Sequence, residues 1–470
     1  MLVVIFRHLR LARWPARAGL FIVVSVLTAW SGSSWAGGRD RSVLTLSEAL
    51  ARVLQSSPEL AVFPYELRAA EARALQEGVS PNPVLSAEVE NVFGSGAASG
   101  IEAMETTLVL SQVIEMGNKR NLRQSLGEWQ RQVVERDYEV ARLDVLAAAA
   151  TRYLEVAQAQ RLLDFGKQAV EWTSLAEAAT NKRFDVGSAS RAELGRLRTD
   201  TMQAELAVSN LEVRLANAKR RLASLWGAGE ADFAVVSAEL FTLTEIPDFG
   251  PIRAQLDQAP QLQRFITQAR LRQAQLDLQI ANNRQDIEVG AGFKHLRESN
   301  DVGMVLQFSM PLGINDQNKG NIRAAREELA MLDMEEEATR NKIFAELHNA
   351  FAQLKQSRHQ VAVLREEILP EARETLELIQ KGYALGRFPY LELVQARQQV
   401  LAVENDAVIA ATDFHQTLIT LESLTGQPLT GIGQQLTDVG SAVGASSEYR
   451  LPYLDGSEPV EQASRKEQVR

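Results

Sequence analysis

Residues Asp286–Met310 read "DIEVGAGFKHLRESNDVGMVLQFSM". In the first half, Ile287, Val289, Ala291 and Phe293 fall on one side, and Glu288, Gly290, Gly292 and Lys294 on the other. In the second half, Val302, Met304, Leu306, Phe308 and Met310 oppose Gly303, Val305, Gln307 and Ser309. Successive side chains of an extended chain point to opposite faces, so a period of two specifies strands. The expected strands are Asp286–Arg297 and Asp301–Met310, joined by a short polar turn. About ten residues, apolar on one face and polar on the other, suit a strand that crosses a bilayer. They suit equally a soluble hairpin half-buried beneath helices, and periodicity does not separate the two. "GAGF" (Gly290–Phe293) lies inside the strand pattern with no helix after it, so it is not a phosphate-binding loop.

The pattern occurs earlier too, near Val84–Phe93 and Ala103–Ile114, with Met104, Thr106, Leu108 and Leu110 sharing a face. A flexible loop, "GSGAASGIE" (Gly94–Glu102), separates that pair. The recurrence belongs to a longer one. "KRFDVGSASRAELGRLRTD" (Lys182–Asp200) faces "KGYALGRFPYLELVQARQQ" (Lys381–Gln399) at an offset of 199, pairing Gly187 with Gly386, Glu193 with Glu392, Leu194 with Leu393 and Arg198 with Arg397. The same offset aligns "RLASLWG" (Arg221–Gly227) with "TLESLTG" (Thr420–Gly426). "NKRNLR" (Asn118–Arg123) faces "NKGNIR" (Asn318–Arg323) at 200, and "SSPEL" (Ser56–Leu60) faces "QAPQL" (Gln258–Leu262) at 202. A period this long is not a solenoid repeat but two copies of one large unit. The expected units are residues 37–250 and 251–430. Each has short helices, a strand pair (84–114; 286–311) and a long helical hairpin (118–226; 321–426).

The helical stretches carry heptad seams. Ile343, Leu347, Ala350, Leu354, Ser357, Val361, Leu364 and Ile368 step by four and three. Val140, Leu143, Ala147, Ala150, Leu154 and Ala157 do so in the first unit, and Val400, Val403, Ala407, Ala410 and Phe414 in the last helix. A seven-residue repeat favours left-handed supercoiling. Some 60 helical residues would extend about 90 Å, so these helices must project. The twin stretches sit where each helix pair reverses. Gly187 and Gly386 permit the positive φ of a helix C-terminus. Ser188 or Ser190 can cap the next helix, and Pro389 suits a first turn. The expected fold is therefore mainly helical with a small β part, its hairpin tips far from the strands.

The N-terminus places Arg7, Arg10, Arg13 and Arg17 around a 13-residue apolar run, Ala18–Trp30, followed by "SWA" (Ser34–Ala36). That is the layout of a cleaved signal peptide, residues 1–36, and predicts export. Without those residues the net charge is −14, which argues against nucleic acid as a partner. There is no cysteine, hence no disulfide, thiolate metal site or lipidated N-terminal cysteine. No other stretch could cross a bilayer as a helix, so a membrane-spanning form requires a closed barrel of strands. Four strands cannot enclose a lumen, so several chains would have to contribute.

"NPVLSAEVENVFG" (Asn82–Gly94) followed by "ETTLVLSQVIEMGNKR" (Glu105–Arg120), with the duplication and both tip motifs, resembles the TolC family of outer membrane efflux proteins. Within it, the first-strand region is similar to the branch serving heavy-metal pumps of the resistance–nodulation–division class, the CzcC-like cobalt–zinc–cadmium efflux proteins. The resemblance covers roughly residues 44–430. It implies a homotrimer whose strands form a 12-stranded barrel in the outer membrane and whose helices form an α-barrel across the periplasm. It also implies a periplasmic adaptor protein at the tips, an inner-membrane pump behind the adaptor, no cofactor and no enzyme activity. Val186-Gly187 and Leu385-Gly386 match the hydrophobic–glycine pair that contacts the adaptor. Glu392, and Glu193 in the first repeat, match the acidic position that narrows the tunnel mouth. Gln395 and Arg196 stand where a second acid is usual, the lipidation cysteine of many relatives is missing, and Pro64 interrupts a helix that relatives run unbroken.

His295, His348, His359 and His415 show no metal-ligand spacing and read as surface residues. The tail 431–470 is polar, Ser- and Glu-rich, and reads as disordered. The leading expectation is an exit duct for metal cations. The same duct could serve drug efflux or type I protein secretion, and a periplasmic coiled-coil scaffold without a pore is the alternative of a different class.

Overall fold

A computed structural model describes residues 43–92, 95–96, 101–385 and 387–427. The expected signal peptide, the 431–470 tail and Gly386 lie outside these described residues. The chain runs β1 (Val43–Leu44), α1 (Leu46–Ser56), α2 (Phe63–Glu77), β2 (Val84–Glu90), β3 (Glu105–Ile114), α3 (Lys119–Asp185) and α4 (Arg191–Ser224). It continues β4 (Val235–Val236), α5 (Phe249–Ala254), α6 (Pro260–Asn282), β5 (Ile287–Leu296), β6 (Asp301–Ser309), α7 (Lys319–Ala362), a π-helical turn (Val363–Ile368), α8 (Leu369–Ala384) and α9 (Tyr390–Thr425). Pro64 does not interrupt a helix. It occupies the first turn of α2, where its missing N–H costs nothing; the break falls earlier, after Ser56.

The four long strands form one antiparallel sheet in the order β2-β3-β5-β6. The hairpin of each repeat is thus joined to the other through β3 and β5, with Leu108 opposite Phe293 and Leu110 opposite Ala291. β6 continues the register, Met304 opposite Phe293 and Leu306 opposite Ala291. One face therefore carries Leu85, Ala87 and Val89, Leu108 and Leu110, Val289 and Phe293, and Val302, Met304, Leu306 and Phe308. This apolar face is bare: Phe293 is 65% exposed and Leu306 75%. Val109 and Ser111, on the polar face, are 5% and 4% exposed. The alternative of a hairpin tucked beneath the chain's own helices is overturned. On the polar face Lys294 bridges Glu90 (3.0 Å) and Glu105.

Glycine lets strands approach closely on that polar face. A Cβ on Gly292 would lie 1.9 Å from the Leu108 carbonyl oxygen, and one on Gly290 would lie 3.0 Å from Val109 Cγ1. At Gly292 this backbone approach excludes any side chain, whereas at Gly290 the tight neighbours are side chains. By contrast, a Cβ on Gly303 would meet nothing nearer than 4.0 Å.

Strand gives way to helix through the twin Asn turns. Asn118 and Asn318 both adopt left-handed φ, 61° and 51°. In each, the asparagine three residues on donates its Nδ2 to the turn's Oδ1 at 2.6 Å. Asn is among the few residues for which this conformation is cheap. Asp286 anchors the junction by accepting from Met116 N (2.9 Å) and Lys119 Nζ (2.8 Å).

α3 has 67 residues, about 100 Å of helix at 1.5 Å each. The returning helices are about half the length of α3, α4 with 34 residues and α9 with 36. Upstream helices cover the remaining length. Nearest the sheet the packing runs α2, α3, α6, α7; toward the tips it runs α4, α3, α9, α8. The α9 seam is buried throughout, from Val400 to Phe414, and the α7 seam is buried from Ile343 to Val361. There the expected repeat fails. Ile368 is 39% exposed, and Leu369 and Leu376 are buried instead, with Ala372, Ile379 and Tyr383 packed beside them. The π-helical turn accounts for this. Leu369 N–H reaches back to the Leu364 carbonyl, one residue further than in an α-helix, and the four–three stepping resumes one position later. Pro370 follows at once, where the loosened turn accommodates its ring.

One histidine departs from expectation. His415 is buried, its Nε2 donating to the Leu240 carbonyl at 3.0 Å, and its Nδ1 has no partner among the described residues. Burial lowers its pKa below the usual imidazole range. A depressed pKa means the folded state favours neutral imidazole. Its stabilising effect is present above the unfolded pKa near 6.5 and is lost as pH falls through the folded value.

Two outcomes follow. Gly292→Ala destabilises the protein by about 3 kcal/mol, the upper end of overpacking costs, while Gly303→Ala changes it little; denaturant midpoints in detergent distinguish them. Wild type loses stability as pH falls below about 6.5, and His415→Gln removes part of that slope.

Candidate functional site

At the first tip, α3 ends at Asp185 and Gly187 takes φ +75°. Ser188 N–H bonds to the Arg183 carbonyl (2.7 Å) and Gly187 N–H to that of Phe184 (2.9 Å), the two bonds of a Schellman C-terminus. Ser190 then caps α4, its Oγ accepting from Glu193 N at 3.1 Å. At the second tip the equivalent long bond runs from Arg387 N–H to the Gly382 carbonyl (2.8 Å), again 199 residues on. Phe388 folds over Gly382, where a Cβ would lie 2.2 Å from its ring. Both tips end in an exposed apolar side chain, Val186 at 76% and Leu385 at 69%.

Arg183 ties the tips together. Its guanidinium donates to Tyr383 Oη of the other tip (3.0 Å) and to the Ser188 carbonyl (3.3 Å), and it pairs with Glu193 at 3.5 Å. Tyr383 meets Tyr390 edge to face at 6.1 Å. Burial pushes the Tyr390 phenol up to about 12. Between the tips runs a groove of about 760 Å³ lined by Arg183, Arg196, Tyr383, Phe388 and Tyr390 among others. The twin arginines diverge. Arg198 is exposed beside Glu177 (3.5 Å), whereas Arg397 is half-buried over the Trp172 ring, donates to the Trp172 carbonyl (2.9 Å), and has its pKa lowered by that burial.

Of the residues singled out by sequence, Val186, Gly187, Leu385, Glu193 and Glu392 gather at this end, while Gly386 lies outside the described residues. Glu193 is already held by Arg183; Glu392, in the first turn of α9, makes no ion pair among the described residues. Arg183, Tyr383 and Phe388 were not foreseen. The contact between Arg183 and Tyr383 joins residues 200 apart, and no local pattern signals it. Among the described residues no helix is long and apolar enough to cross a membrane, and no cluster of His, Cys, Asp or Glu is arranged to hold a metal ion.

A bare apolar sheet face at one end of long helical hairpins is the arrangement of a strand-built membrane element carried on a helical stem. The sequence profile described as "Outer membrane efflux protein" matches residues 49–228 and again 252–427. The chain belongs to that family, whose members are efflux ducts. It is 25% identical over 384 residues to the cobalt-zinc-cadmium resistance protein CzcC of Cupriavidus metallidurans, covering 82% of this chain and 90% of that one. It is 27% identical over 348 residues to the nickel-cobalt-cadmium resistance protein NccC of Alcaligenes xylosoxydans xylosoxydans, covering 72% and 76%. Among solved structures, a membrane protein from Pseudomonas aeruginosa superposes with TM-score 0.70 at 18% identity, covering 81% of this chain and 92% of the other. VceC from Vibrio cholerae, an outer membrane protein, gives 0.66 at 17%, covering 80% and 96%.

Tyr383→Phe removes the hydrogen bond between the tips, and a bond to a charged group contributes about 1.5 kcal/mol or more. Amide exchange at residues 383–385 and 387–392 should quicken about tenfold, with α7 unaffected.

Proposed function

We propose that three copies of this chain form one continuous duct across the outer membrane and periplasm. The carrying observation is the sheet: an apolar face left bare by the rest of the chain, and strands β2 and β6 each with an outer edge unpaired among the described residues. In hydrocarbon an unpaired strand edge is prohibitive, so β6 of one copy pairs with β2 of the next until the ring closes. Ten residues in β3, at about 3.4 Å each and tilted about 40°, span roughly the 25 Å apolar band of outer-membrane barrels. Three copies supply twelve strands. The helices support the same closure. Edge helix α4 exposes Met202, Leu206 and Val213, and α8 exposes Leu378. Each set seeks a partner on a neighbouring copy.

In this reading Val186, Gly187, Leu385 and Gly386 meet a periplasmic adaptor linked to an inner-membrane pump of the resistance–nodulation–division class. Glu392 contributes a ring of carboxylates at the tunnel mouth, favouring cations. Glu193 contributes less because Arg183 neutralises it. The exported cargo is divalent metal cations, a reading supported by the resistance proteins to which the chain is similar. The chain acts as a passive conduit.

Outer-membrane fractions should contain a heat-modifiable trimer that conducts ions in planar bilayers; a periplasmic monomer that stays soluble without detergent would refute the duct. Glu392→Gln should lower cation-over-anion selectivity at unchanged barrel insertion. Bulky replacements at Gly187 and Gly386 together should abolish metal resistance while the trimer still inserts, and normal resistance would remove the docking assignment.

A further inference from the structure

The tips carry a charge opposite to that of the chain. Lys182, Arg191, Arg196 and Arg387 are all exposed and make no ion pair among the described residues. Nearby cations that do have carboxylate partners, such as Lys381 with Glu377 and Arg198 with Glu177, show that pairing is available on these helices. Among the described acids of the two tips, Asp185, Asp200 and Glu392 make no ion pair, one fewer than the unpaired cations. The chain without residues 1–36 is strongly acidic, at −14. Two helix C-termini (α3, α8) and two N-termini (α4, α9) meet here, so their dipoles oppose one another and the side chains set the field. Arg191 even occupies the first position of α4, where the helix dipole disfavours a cation.

A groove lies within this collar. Arg196 stands at its wall beside the Tyr383–Tyr390 pair, and Arg183, its other guanidinium, is already committed to Glu193 and Tyr383. A guanidinium next to phenol rings is a seat for a carboxylate on a short apolar stem. We propose that the tips dock a protein whose facing end is acidic, with an Asp or Glu side chain seated against Arg196 and the other three cations steering the approach. This rests on the tips being the docking end of the duct. Covering the collar with carboxylates also removes a positive barrier that would otherwise oppose cations entering the mouth.

The test places a photo-cross-linking residue at Val186 in the full chain in its own cells. Cross-linking is compared with a chain also carrying Lys182→Glu, Arg191→Glu, Arg196→Glu and Arg387→Glu, both checked for the trimer in outer-membrane fractions. The expected result is an adduct whose partner peptide is acidic, a yield about tenfold lower in the reversed chain, and recovery when the partner's acids are changed to lysine, as for complementary charged interfaces. Equal yields from both chains, or a basic or uncharged partner peptide, overturn the acidic dock while leaving the tips as the docking end. No adduct from the wild-type tip overturns both. If the reversed chain fails to insert, the composition of the wild-type peptide decides alone.

Discussion

Hydrocarbon cannot hydrogen-bond a peptide group, and that one constraint organises the molecule. Four strands can satisfy their inner ladders but leave two edges open, so the chain is incomplete by itself in a bilayer. The side chains agree with this. Phe293, Met304, Leu306 and Phe308 lie bare on one face, while Lys294 with Glu90 and Glu105 lies on the other. Gly292 then lets the backbone of β3 approach closely on that polar side.

Everything beyond the sheet deals with handing this surface to helices and keeping them in step. The left-handed Asn118 and Asn318 turns sit at the same place in both repeats, and Asp286 pins the crossing point. Below them, four packed helix positions are maintained by changing partners: α2 and α6 near the sheet, α4 and α9 toward the tips. The tips close with the same backbone bond twice, and Arg183 makes the two closures one unit.

Much of this could be read from residue order because its signals are local. Strict alternation located β5 to within one residue at each end, and the Gly187 turn followed from a glycine between two helical patterns. The four–three seam located the buried faces of α7 and α9. What escaped depends on distant partners. Where one covering helix replaces another, α2 giving way to α4 and α6 to α9 along α3, depends on contacts between segments far apart in sequence. The β3–β5 pairing joins strands some 180 residues apart. His415 looks like any polar residue in sequence, and only the carbonyl of Leu240, brought from another segment, makes its burial affordable. Glu193 and Glu392 looked equivalent by offset, yet Arg183 holds only the first.

The π-helical turn at Val363–Ile368 divides the longest rod of the second repeat into two frames that differ in phase by one residue, about 100° of rotation. Packing order therefore cannot be transmitted through this rod as a single zipper. A slip or loosening that starts near the tips meets a dislocation before it reaches the end anchored by the sheet. The rod resembles two screws of equal pitch joined out of thread, each seated in its own stretch of α9.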